Sequence, residues 1–190
     1  MKKIAIIGAG ISGLFFANLL QNNSDYDFTI FEKKALIDLE DSYGIQLSVN
    51  SIKLLNQIGF NTIDKNQTYN PKKINFINAK NNKKICDLDI SQFNYDNNQY
   101  TTLKRSTLLK FLLKNIPKDR IKYNTELKNL SSEKKITLSF SNDYADEFNY
   151  LIVSDGIFSQ TKSKILKKNI EPQYFNSLAL RGNIDDYSNK

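Results

Sequence analysis

The chain opens on a short apolar run, Ile4-Ala5-Ile6-Ile7, that stops at Gly8. Four consecutive apolar positions bounded by glycine predict a strand buried on both faces of a parallel sheet. Beyond the glycines, Leu14, Phe15, Ala17, Leu19 and Leu20 supply the apolar side of a helix, and Phe28-Thr29-Ile30-Phe31 reads as a second strand with Glu32 directly after it. A short amphipathic helix is predicted over 51–58, with Ile52, Leu55 and Ile58 on one face and Gly59 closing it. A polar, Asn-rich stretch at 61–70 leads to Pro71. Ile74, Phe76 and Ile77, then residues 85–90, read as two strands around a turn at 80–84, an antiparallel excursion from the first βαβ unit. The clearest helix has Ser106 as its cap and Leu108, Leu109, Leu112, Leu113 and Ile116 recurring at i, i+1, i+4, i+5 and i+8, until Pro117 stops it. Strands follow at 121–123, 127–130 and 136–140, and a last buried-type strand, Tyr150-Leu151-Ile152-Val153, ends at Ser154-Asp155-Gly156. Strands alternating with helices predict an α/β fold, and the sequence holds no internal repeat, transmembrane span or P-loop.

The glycines between the first strand and helix carry the first chemistry. Met1-Lys2-Lys3 followed by an apolar run also has the outline of a secretory signal, but Gly8, Gly10 and Gly13 interrupt it, and no small-x-small cleavage pattern follows at 18–24. Their G-x-G-x-x-G spacing instead completes a unit of strand, glycine turn, helix, strand and acid from Gly8 to Glu32. Gly8 permits the tight turn, Gly10 lets the backbone approach a pyrophosphate, and Gly13 lets the helix pack closely on the strand. The backbone of Ala9, Ile11 and Ser12 then contributes unpaired N–H groups and the positive end of the helix dipole to an anion site. Glu32 is placed to accept ribose hydroxyls; its plainer alternative is a solvated acid at a strand end.

Composition narrows the chemistry further. Hydrophobic residues make up 40% of the 190-residue chain and charged residues 25%, with 7 Gly and 3 Pro, so the chain is globular rather than low-complexity. The absence of histidine removes His-dependent triads, His-ligated metals and an imidazole base. One cysteine, Cys86, forms neither an intrachain disulfide nor a CxxC pair, which points to a reducing, cytoplasmic setting. Redox chemistry therefore needs a borrowed cofactor. The net charge of +7 comes largely from scattered lysine pairs such as Lys33-Lys34, Lys72-Lys73, Lys83-Lys84 and Lys167-Lys168, an ordinary solvated surface that does not call for nucleic acid.

Four segments, in order, resemble the class A flavin-dependent aromatic hydroxylases, a family of FAD monooxygenases that includes salicylate-hydroxylase-like and ubiquinone-biosynthesis hydroxylases. They are GAGISG at 8–13 with Glu32, YGIQLSVNSIKLLNQIGF at 43–60, LKRSTLLKFL at 103–112, and LIVSDGIFS at 151–159. The resemblance implies that Gly8, Gly10 and Gly13 carry the FAD pyrophosphate, Glu32 the adenosine ribose, and Arg105 a phosphate or ribityl contact. It implies that Asp155-Gly156 serves both FAD and a passing NADH or NADPH, and it extends the cofactor site to Lys33 and Leu127. Arg181-Gly182 is similar to the start of the family's substrate-domain strands. Each role has a rival: Arg105 as a surface residue, although a cation at a helix start opposes the dipole, and Asp155-Gly156 as a simple turn. Gln46 and Asn50 stay open, Asn50 also being a candidate helix cap.

The implied architecture is a Rossmann-like FAD-binding domain of the aromatic-hydroxylase (GR2) type, over 1–70 and 101–170, with the beginning of a β-sheet substrate domain at 71–100 and 171–190. The implied reaction is NAD(P)H-dependent hydroxylation of a small aromatic substrate by O₂ through a flavin hydroperoxide. Other FAD/NAD(P) oxidoreductases, such as a flavin reductase or amine oxidase, and a non-catalytic nucleotide-binding module are the alternatives. The sequence departs from the family at Leu39-Glu40-Asp41-Ser42, where an arginine is expected, and at Val153-Ser154, where Gly-Ala is expected. At about half the family's length it reads as an amino-terminal fragment, with a second chain as one source of the missing half.

Overall fold

The computed structural model describes residues 1–40 and 43–180. In chain order the elements are β1 (Lys2–Ile7), α1 (Ile11–Leu20), β2 (Tyr26–Phe31), β3 (Gly44–Leu47), α2 (Val49–Asn56), β4 (Thr68–Tyr69), β5 (Lys73–Ile77) and β6 (Lys84–Asp89). They continue with β7 (Thr101–Lys104), α3 (Arg105–Leu113), β8 (Ile121–Lys122), β9 (Leu127–Ser132), β10 (Ile136–Phe140), β11 (Ala145–Phe148), β12 (Tyr150–Val153) and α4 (Gln160–Leu166). They fall into two compact units, Met1–Leu39 with Leu112–Leu180, and Glu40–Phe111.

The first unit is built on a parallel sheet of order β12-β1-β2-β8. β1 is its centre, with Ile7 opposite Val153 on one side and Phe31 on the other. Because β1 is flanked by strands and covered on both faces, Ile4, Ala5, Ile6 and Ile7 are all buried, and its apolar residues run without alternation. On one face α1 lays down Gly13, Leu14 and Ala17. Against the other packs an antiparallel sheet of order β11-β10-β9. Ala5, Ile7 and Phe31 meet Leu127, Leu138, Phe140 and Phe148 there, with Phe31 stacked on Phe140 at a ring separation of 4.2 Å and edge-on to Phe148 at 5.8 Å.

Several expectations shift. Leu19, expected on the apolar side of α1, is 39% exposed, while its neighbour Asn18 is buried. Asn18 can be buried because its side-chain amide donates to the carbonyls of Leu14 (2.8 Å) and Leu112 (2.7 Å). β11 was not anticipated, since Phe148 is its one buried residue. Residues 171–180, expected to start substrate-sheet strands, form no strand: an extended segment needs a pairing neighbour, and none of the described strands pairs with it. Tyr174, Phe175, Leu178 and Leu180 are exposed instead. Arg181-Gly182 and the Asp41-Ser42 part of the divergent stretch lie outside the described residues.

In the second unit β7 is central to an antiparallel sheet of order β3-β7-β4, and β5 and β6 form a separate hairpin. The hairpin shares this unit with residues 40–70 and 101–111. α2 starts after Ser48, so Asn50 lies inside its first turn and does not cap it. α3 starts at Arg105, whose N–H donates to the Tyr43 carbonyl at 3.0 Å, so Ser106 is buried in the first turn and is not the residue preceding it. Among the described residues, no helix is long and apolar enough to cross a membrane, and no three His, Cys, Asp or Glu gather as metal ligands.

Candidate nucleotide-binding site

The C-terminal ends of β12, β1 and β2 lie side by side, and the loops leaving them converge. Backbone bonds lace them: Ser154 N–H to the Ile7 carbonyl (2.8 Å), Gly8 N–H to Phe31 (2.9 Å), and Glu32 N–H to Lys122 (2.9 Å). This edge, beside the central strand where the chain departs in both directions, is where open α/β sheets bind ligands.

The three turn glycines are glycine for different reasons. Gly8 has φ +101°, and a β-carbon there would lie 2.5 Å from the Ser154 carbonyl oxygen. A β-carbon on Gly13 would overlap the Gly8 carbonyl oxygen and press on the Ile6 side chain at 3.3 Å. The protein's own packing thus requires both. Gly10 is different: its backbone (φ −80°, ψ −176°) suits any residue, and a β-carbon there meets nothing within 4 Å. It is the N-cap of α1 and supplies no side-chain cap, so the first-turn amides of Ile11, Ser12 and Gly13 open onto that empty space.

Glu32 is engaged by the backbone on both carboxylate oxygens. It is half-buried, with one carboxylate oxygen accepting the Ala9 N–H and the other the Lys34 N–H, each at 2.9 Å. The acid thereby ties the glycine turn to the end of β2. Each oxygen has a second lone pair for another donor. Asp155 follows β12 across the sheet, with its α-carbon 3.0 Å from where a Gly8 β-carbon would sit. Its Oδ2 accepts the Thr161 hydroxyl (2.8 Å) and N–H (3.2 Å) at the start of α4, while its Oδ1 is buried without a partner. Gly156, at φ +84°, carries the chain out of this turn.

The structure therefore brings Gly8, Ala9, Gly10, Ile11, Ser12, Gly13, Glu32, Asp155 and Gly156 together at one sheet edge of the first unit. Lys33 is exposed immediately after Glu32. Leu127 opens β9 with its side chain inside the apolar cluster, so the core has already taken that side chain. Arg105 is half-buried at the start of α3 in the second unit, where Gln46 is exposed on β3. Sequence reasoning missed Thr161, whose only signal was a hydroxyl residue six positions after Asp155. It also missed Tyr123, whose phenol is pushed above its usual range by burial and then by the Glu32 carboxylate.

The comparisons with known proteins concern the fold that carries these residues. A family of NAD(P)-binding Rossmann-like domains matches residues 6–37. The structure superposes on 2,6-dihydroxypyridine-3-hydroxylase from Arthrobacter nicotinovorans with a TM-score of 0.74 at 19% identity, covering 92% of this chain and 41% of that one. It has the fold of the amino-terminal part of a flavin-dependent aromatic hydroxylase. A Klebsiella pneumoniae HpxO complexed with FAD and uric acid (TM-score 0.73, 19% identity) covers 88% of this chain and 42% of its own, and a salicylate hydroxylase substrate complex (0.73, 17%) covers 92% and 41%. Among curated proteins, the monooxygenase asqM of Emericella nidulans is 27% identical over 180 residues, 86% of this chain and 40% of that protein. The monooxygenase penA of Penicillium thymicola is 26% identical over 187 residues, with the same two shares. The chain spans about 40% of the length of the curated relatives it matches.

Proposed function

We propose that this chain is the FAD-binding, amino-terminal portion of an NAD(P)H-dependent monooxygenase that hydroxylates a small aromatic substrate. The observation that carries the reading is Gly10: nothing in the protein forbids a side chain there, yet the residue faces open space at a helix N-terminus, one residue after the Ala9 N–H that Glu32 accepts. A dinucleotide pyrophosphate accounts for both the glycine and the space. The buried, unpartnered Oδ1 of Asp155 independently fits a ligand hydroxyl, because an acceptor without a donor costs about 1–3 kcal/mol until one arrives.

Each group then has a task that needs no side-chain catalysis. The first-turn amides of α1 hold the diphosphate, the remaining lone pairs of Glu32 accept ribose hydroxyls, and Asp155 accepts a hydroxyl nearer the ring system. Thr161 positions Asp155 by occupying Oδ2 and leaving Oδ1 for the ligand. Arg105 is proposed as a further phosphate or ribityl contact. Bound FAD would supply electron transfer from NADH or NADPH and the activation of O₂, the protein contributing position and water exclusion. A chain with no histidine suits that division of labour.

The test is the absorbance spectrum of the purified chain after loading with FAD, followed by anaerobic NADH or NADPH. Bound flavin that bleaches supports the reading, bound flavin that does not bleach leaves a nucleotide-binding module, and no bound flavin contradicts it.

A further inference from the structure

We propose that Tyr123 is the adenine-facing residue of this site and gives it a preference for nucleotides that carry adenosine; the flavin identity of the ligand rests on the function proposed above. Residues 122–125 are clasped to residues 32–34 by three backbone hydrogen bonds: Glu32 N–H to the Lys122 carbonyl (2.9 Å), Thr125 N–H to the Glu32 carbonyl (2.9 Å), and Asn124 N–H to the Lys34 carbonyl (3.1 Å). β2 and β8 run parallel with Phe31 opposite Lys122, so the next residues along, Glu32 and Tyr123, lie alongside each other just past the strand ends. Asn124, at φ +52°, turns the chain directly afterwards, and the Thr125 hydroxyl donates to the Tyr123 carbonyl at 2.8 Å, fixing the loop.

Tyr123 is half-buried, yet it does not belong to the apolar cluster of the first unit. Its neighbour is the acid that is placed to hold the sugar. A base is attached to that same sugar ring, so an aromatic face beside the hydroxyl acceptor lies where the base must emerge. Aromatic rings bind bases by stacking, with little demand on hydrogen-bond pattern. The phenol is held protonated by burial and by the Glu32 charge, so it adds no repulsion toward a diphosphate ligand.

Calorimetric titration of the full chain with FAD, FMN and ADP tests this, because FMN lacks adenosine and ADP lacks the flavin. Tyr123→Ala is expected to weaken FAD and ADP about tenfold, the range of one lost base stack, and to leave FMN unchanged. Tyr123→Phe should bind like the parent. Tyr123→Leu, which keeps the bulk without the π face, covers the case in which the alanine variant is unstable, and should weaken FAD and ADP as well. Unchanged FAD and ADP affinities in the alanine or leucine variant, or an equal loss of FMN, would overturn the inference. A parent that binds ADP in a Tyr123-dependent way but no FAD would overturn the flavin function alone. A parent that binds none of the three would overturn both.

Discussion

At the scale of residues, one turn separates what the fold needs from what a ligand needs. Gly8→Ala and Gly13→Ala should each cost about 1–3 kcal/mol, the first through its positive φ and the Ser154 carbonyl, the second through overlap with the Gly8 carbonyl. Gly10→Ala should change stability by less than about 1 kcal/mol, since its β-carbon would point into open space. Chemical denaturation of the three variants without ligand checks the contrast. The glycine spacing made the turn visible in the sequence, but not which glycine answers to the ligand. Glu32 was visible as an acid at a strand end, and the Ala9 and Lys34 amides that occupy it were not, because backbone donors carry no sequence signal. Glu32→Ala is accordingly expected to lose about 1–3 kcal/mol of stability as well as nucleotide affinity, since two N–H groups lose a charged acceptor. A variant of parental stability would return the acid to a purely ligand-facing role.

At the scale of elements, the sequence was readable where burial is two-sided or strongly periodic. β1 and α3 announce themselves by an apolar run and a leucine stripe, and β8 lies within the strand expected at 121–123. β12 forms where its apolar run predicts a strand, but as the edge of the sheet it is not buried as expected, Tyr150 being 43% exposed. β4, of two residues, exists because β7 pairs with it. α1 shows the limit of reading helix faces from hydrophobicity: Asn18 is buried beside an exposed Leu19, because its amide serves a carbonyl in the last turn of α3. Asn18→Leu should destabilise the chain by about 1–3 kcal/mol by stranding the Leu112 carbonyl, measured by urea unfolding. β11 is tied to β1 by Asp146 and Lys3 at 3.0 Å. Burial works to raise the Asp146 carboxyl, but Lys3, the Glu147 N–H and the Tyr144 hydroxyl outweigh it and hold the group below the usual carboxylate range. A depressed folded-state pKa stabilises above the ordinary aspartate value and loses that contribution as pH falls through the depressed one. Asp146→Asn should therefore lower the urea midpoint near neutrality and flatten its fall between roughly pH 5 and pH 3; parallel pH profiles would refute the linkage.

At the scale of the whole molecule, an exposed apolar face stands out in the hairpin of the second unit. The register places Ile74 opposite Leu88 and Phe76 opposite Cys86, so these four residues share one face, with Phe76 47% and Leu88 44% exposed. A two-stranded hairpin with such a face is marginal by itself and invites association. Light scattering should show self-association despite the net charge of +7, reduced by the paired change Phe76→Ser and Leu88→Ser; a monodisperse monomer in the parent would count against it. The central claim concerns the glycine turn, and titration with FAD of the parent and of Gly10→Val, beside the thermal unfolding of both without ligand, tests it most directly. The expected result is FAD binding by the parent, a loss of at least about tenfold in the variant, and closely similar melting temperatures. Equal affinity for FAD in the two proteins would contradict the account.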